Sequence, residues 1–136
     1  MRLVVDTNVL VAGVLSASGP PAWIVEAILS GEIEPVFDGA IRAEYEDVLR
    51  RRELSLVPAR VTALLEVLDR FGFEVTAPPW PETLPDPDDA PFLAVAAAIG
   101  CPLVTGNLRH FPAKARGPVR VLTPRQLIDE FARQGS

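Results

Sequence analysis

Cysteine and histidine are nearly missing from this chain of 136 residues, which holds one of each, Cys101 and His110. A lone cysteine forms no internal disulfide, and one thiol with one imidazole cannot build a structural zinc site. A bound metal would therefore take mainly oxygen ligands, which points to magnesium or manganese. Long apolar runs are absent too, and none approaches the roughly 20 residues that span a bilayer. The opening Met1-Arg2-Leu3-Val4-Val5 meets an acidic residue at once and lacks the apolar stretch of a secretion signal, so a cytoplasmic protein with no membrane partner is expected. Excess positive charge is lacking as well: the formal net charge is −5. That argues against a protein that coats nucleic acid, though a cluster of metal-binding acids would lower the net charge by itself.

What is present is an ordinary globular composition, 49% hydrophobic and 23% charged, without repeats or an internal boundary. A single domain over residues 1–136 is expected. Strand and helix signals alternate. Apolar, β-branched runs predict strands at Arg2–Val5, Pro35–Phe37, Phe73–Val75, Leu103–Thr105 and Val119–Leu122. Helical spacing predicts helices at Pro21–Leu29, Gly39–Arg52 behind an Asp38 N-cap, Pro58–Phe71, Phe92–Ile99 and from Pro124 onward. Residues 77–91, crowded with prolines and acids, read as a loop. Alternating β and α elements imply a mostly parallel five-stranded sheet covered on both faces, an α/β/α sandwich.

Open α/β sheets bind ligands beyond the carboxyl ends of their strands, where the strand order reverses. Asp6-Thr7-Asn8 follows the first strand, Asn107 and His110 follow the fourth, and Pro85–Asp89 precede the helix that feeds the fourth. Asp6 could simply cap a turn, but a carboxylate half-buried after an apolar strand calls for a cation. Glu44 borders the apolar face of its helix, whereas Glu46 and Asp47 point to solvent. Asp86, Asp88 and Asp89 exceed what helix capping needs, and Asp89 stands nearest the helix start. His110 reads either as a solvated loop residue or as a neighbour of the site. Arg109, Lys114, Arg116 and Arg120 form a modest basic cluster that could attract phosphate or merely face water.

Together, Asp6-Thr7-Asn8, the inward Glu44, the run Asp86-Pro87-Asp88-Asp89-Ala90-Pro91-Phe92 and the segment Val104 to Pro112 resemble a PIN domain. The chain is most similar to the VapC-like toxin components of toxin–antitoxin pairs. The likeness extends to the closing Leu122-Thr123-Pro124. It implies a PIN-like sandwich and a Mg²⁺- or Mn²⁺-dependent ribonuclease. Asp6, Glu44 and Asp89 fall on the family's main metal-binding acids, and Thr7 on its hydroxyl. Asn107 falls where many members carry a fourth Asp, and His110 where another acid is frequent; a neutral Asn could assist through its carbonyl oxygen. The resemblance also implies an RNA substrate, an antitoxin partner and a homodimer. Two rivals stand beside it. A phosphatase of the haloacid-dehalogenase kind would use Asp6 as nucleophile, but needs a second acid where Asn8 stands. A PIN-like binding module without nuclease activity would explain Asn107 and His110.

Overall fold

In a computed structural model, which describes residues 1–134, strands and helices alternate along the whole described chain. The first strand, β1 (Arg2–Val5), is the centre of the sheet. Its Leu3, Val4 and Val5 are fully buried, as an apolar run must be when helices cover both faces. β2 (Glu34–Phe37) and then β3 (Phe73–Glu74) lie on one side of it, β4 (Leu103–Val104) and then β5 (Val121–Leu122) on the other. Every pairing is parallel.

Parallel neighbours need crossover connections, and these are right-handed almost without exception. The chain steps from β1 outward to β2 and β3, then returns across the sheet to β4 and β5. Helices of the outward and return journeys therefore cover opposite faces, which gives the expected α/β/α sandwich. On the outward journey lie α1 (Thr7–Leu15), α2 (Pro20–Leu29), α3 (Gly39–Leu49) and α4 (Pro58–Phe71). On the return, α5 (Ala90–Ile99) packs on β1, β2 and β4. The last helix, α6 (Pro124–Gln134), follows β5 and touches α2. The strand order reverses between β1 and β4, so the crevice beyond their carboxyl ends is the place to look for a site.

Sequence expectation and structure differ at several edges. Helix α1 has no counterpart in the periodicity reading, because three valines, two leucines and Gly13 leave no continuous polar face to mark it. Helix α3 ends at Leu49 rather than Arg52, and a 3₁₀ turn (Arg52–Leu54) takes over. Helix α5 begins at Ala90, two residues early, because Pro91 is tolerated in a first turn. A 3₁₀ turn at Pro87–Asp89 precedes it inside the expected loop. Other features match: Asp38 caps α3 by accepting from the Ile41 N–H at 2.8 Å, and α4 has the expected bounds. Gly100 ends α5 in the left-handed region at φ 75°, which favours glycine.

One contact fixes α3 beside the end of β1, and another ties it to α4. The hydroxyl of fully buried Tyr45 donates to the carbonyl oxygen of Val5, and Arg42 grips both carboxylate oxygens of Asp69 on α4, at 2.7 and 2.9 Å. Among the described residues no single helix is long and apolar enough to cross a membrane.

The α1–α2 crossing depends on Gly13. A Cβ there would lie 2.4 Å from Val25 Cγ2 and 2.5 Å from the Pro21 carbonyl oxygen. In an exposed helix Gly→Ala stabilises by about 1 kcal/mol. Here Gly13→Ala is expected to destabilise by about 1–3 kcal/mol, since a backbone carbonyl yields little. Urea unfolding of both proteins measures the difference; a gain in stability would contradict the close packing.

Candidate active site

Parallel register builds the site. Val5 of β1 pairs with Val104 of β4, and the Asp6 N–H continues the ladder by donating to the Val104 carbonyl at 2.9 Å. Asp6 and Thr105 thus leave their strands side by side. The Thr105 hydroxyl donates to Asp6 Oδ2 at 2.8 Å, with Thr105 at 0% exposure and Asp6 at 5%. Asp6 is the N-cap residue of α1, yet its carboxylate makes no aligned cap hydrogen bond. Asp6 is therefore more than a turn cap, since Thr105 also holds its buried carboxylate. Burial raises its pKa, opposed by the Thr105 bond, by the N–H groups of Asn8 and Thr7 at the helix start, and by His110.

Glu44 arrives from α3, half-buried, where Thr7 donates its hydroxyl to Glu44 Oε2. Burial raises the Glu44 pKa, the Thr7 bond opposes it, and the charges of Asp6, Asp88 and Asp86 raise it further. Asp89 arrives from the turn before α5 and is only 8% exposed. Its carboxyl is pushed up to about 6, by burial first and then by Asp6 and Asp86; His110 opposes the shift. Asp86 and Asp88 face solvent, and Asp86 caps the turn by accepting from the Asp88 N–H at 2.9 Å. The expectation that Asp89, of the three, points inward matches the structure.

Asn107 and His110 follow β4. The Asn107 side-chain oxygen accepts from the Arg109 N–H at 3.3 Å, capping the 3₁₀ turn Leu108–His110. His110 Nδ1 lies 3.1 Å from Asp89 Oδ2, without the alignment of a hydrogen bond, so that buried oxygen has no hydrogen-bond donor. Of the basic cluster, Arg116 bonds the Phe111 carbonyl and Arg120 pairs with Glu130, while Arg109 and Lys114 are exposed.

Sequence reasoning passed over Thr105 and Asn8. Thr105 sits at a strand end where threonine is unexceptional, and only the β1–β4 pairing shows its use. Asn8 stands where the phosphatase reading requires an acid, and its Oδ1 accepts from the Gly106 N–H at 3.1 Å.

The three inward acids come from separate elements; Asp6 raises the pKa of both Glu44 and Asp89, and Glu44 that of Asp89, as like charges in a shared crevice do. All their donors are hard oxygens, and one buried oxygen lacks a donor. By donor type and unmet charge they fit a divalent cation. Among the described residues no three His, Cys, Asp or Glu side chains close around one point, so gathering them on an ion takes side-chain rotation.

Comparison with known proteins agrees with this architecture. No curated protein sequence matches the chain. The crystal structure of FitAcB from Neisseria gonorrhoeae shares the fold, with a TM-score of 0.54 and 19% identity over 92% of this chain and 99% of that chain. A family model for the PIN domain matches residues 2–109, taking in Asp6, Thr7, Glu44, Asp89 and Asn107. With that match covering most of its length, the chain belongs to the PIN-domain family.

Proposed function

We propose that this PIN domain is a Mg²⁺- or Mn²⁺-dependent endoribonuclease and the toxin of a toxin–antitoxin pair. In this reading it is a single cytoplasmic domain that forms a homodimer and is silenced by its antitoxin. The observation that carries the nuclease reading is the convergence of Asp6, Glu44 and Asp89 at the strand switch point, each with its pKa raised. The toxin assignment is supported by the VapC-like motifs and by the match to the PIN family.

Three carboxylates alone would repel a phosphodiester. A divalent cation, when bound, supplies the charge neutralisation and water activation that hydrolysis at neutral pH needs. Asp6, Glu44 and Asp89 would hold it. Thr105 fixes the rotamer of Asp6, and Thr7 restrains Glu44. Exposed Arg109 and Lys114 lie along the chain after β4, where they can attract the phosphate backbone. No side chain has to form a covalent intermediate.

One finding favours a second reading, a PIN-like partner module without nuclease activity. The Asn107 oxygen is already committed to the Arg109 N–H, which leaves the expected fourth acid without a substitute. Cleavage of structured RNA with Mg²⁺ or Mn²⁺ separates the two. Asp6→Asn is expected to lower the rate by at least about 100-fold, more than outer-sphere changes typically do. Equal rates in both proteins, or no cleavage by either, would favour the partner module.

Thr105→Val removes the hydroxyl that stabilises ionised Asp6. It is expected to reduce cleavage roughly 10- to 100-fold and to move the acidic limb of the pH–rate profile upward. Thr105→Ser should restore both, whereas a merely structural role for Thr105 would leave the profile in place.

The raised carboxyls also tie stability to pH. Between the unfolded value of Asp89, near 3.8, and its folded value, about 6, the folded chain keeps a proton that the unfolded chain has lost. Metal-free stability therefore falls as pH rises through this interval and gains nothing from Asp89 above it. A cation binds the ionised form, so added Mn²⁺ should raise the thermal midpoint at pH 7.5 and scarcely at pH 5. Equal stabilisation at both values would contradict the assignment of Asp89.

A further inference from the structure

Asp89 Oδ2 and His110 Nδ1 face each other in an unusual way. The oxygen is itself shut off from solvent, in a residue only 8% exposed, and has no hydrogen-bond donor. The ring nitrogen lies 3.1 Å away, close enough for a strong charge-assisted bond, yet no N–H is aligned on the oxygen. Two donors on one metal ion have a different requirement. Each points its lone pair at the ion, from roughly 2.0–2.2 Å, and adjacent ligands then stand about 3 Å from each other. The observed separation meets that requirement.

The surroundings hold His110 in this place. Its 3₁₀ turn is capped by Asn107, and the Asn107 N–H donates to Thr105 Oγ1 at 3.0 Å, the same hydroxyl that holds Asp6. The next residue, Phe111, is fully buried and anchors the turn from beyond. The imidazole is close enough to act electrostatically on both Asp6 and Asp89. The ring is thus tethered to the site by the β4 turn.

Building on the nuclease reading above, we infer that His110 Nδ1 and Asp89 Oδ2 are neighbouring ligands of the site's cation, and that this nitrogen makes the site select Mn²⁺ over Mg²⁺. Mg²⁺ favours oxygen and keeps several waters, whereas imidazole is a ligand of transition ions. Asn107 then has no ligating role; it shapes the turn that delivers the histidine.

The chain offers a direct test, because His110 is its only histidine. Tag-free protein is loaded with Mn²⁺ and studied by electron spin-echo spectroscopy, once unlabelled and once with ¹⁵N-histidine. A directly bound imidazole gives a ¹⁴N modulation that the label converts to that of ¹⁵N, with no variant needed. Calorimetry should show tighter binding of Mn²⁺ than of Mg²⁺. His110→Ala should weaken Mn²⁺ by more than about tenfold and leave Mg²⁺ nearly unchanged. Mn²⁺ bound with oxygen ligands alone would overturn the inference, since His110 would then be only the ion-pair partner of Asp89, while the carboxylate metal site would stand. If neither ion binds, both readings are overturned.

Discussion

The hydrogen bond from Thr105 to Asp6 joins the two strands at which the sheet changes direction, and the site is arranged around it. Parallel pairing of β1 with β4 brings the two residues level, and burial makes the bond necessary, because an ionised carboxylate excluded from water must be compensated. The same hydroxyl oxygen accepts from the Asn107 N–H and so fixes the turn that follows β4. One side chain thus sets the rotamer of the central acid and the path of the next loop. A threonine suits both roles, since its β-branch also stiffens the side chain.

Beside that bond, Glu44 too is held from outside its own element, whereas Asp89 Oδ2 has no hydrogen-bond donor. Glu44 is restrained by Thr7 of α1, and its helix is fixed to β1 by Tyr45. Asn8 ties the start of α1 to Gly106. These contacts work against electrostatics, because Asp6, Glu44 and Asp89 repel one another and each is partly stripped of water. The core supplies the opposing stability. Leu3, Val4 and Val5 lie immediately before Asp6, and Phe92 and Leu93 shortly after Asp89, all fully buried. Each acid is therefore carried on a rigid, apolar piece of scaffold, as preorganised sites require.

Much of this was legible in the sequence where local chemistry decided the outcome. Strand β1 and helix α4 show in their apolar patterns, and Asp38 and Gly100 mark helix ends through side-chain capping and left-handed geometry. Asp6 is conspicuous after its apolar strand and Asp89 at its helix start, whereas Glu44, on the border of its helix's apolar face, takes its role from the resemblance to the family. Helix α1 was not legible, since nearly all its residues are apolar and a helix without a polar face shows no period. Thr105 was hidden for another reason: its importance comes from a partner 99 positions away, which only strand pairing brings near. The division of labour between Asp86, Asp88 and Asp89 was legible in part, because capping and inward projection compete for the same few residues.

The distance along the chain between the joined residues has a consequence for the order of events in folding. Asp6 meets Thr105, and Asn8 meets Gly106, only across separations of 99 and 98 positions. Contacts so remote in sequence form late, after local helices and the outward half of the sheet. The crevice can therefore assemble only once β4 is available to pair with β1, however early Asp6 and Glu44 are made.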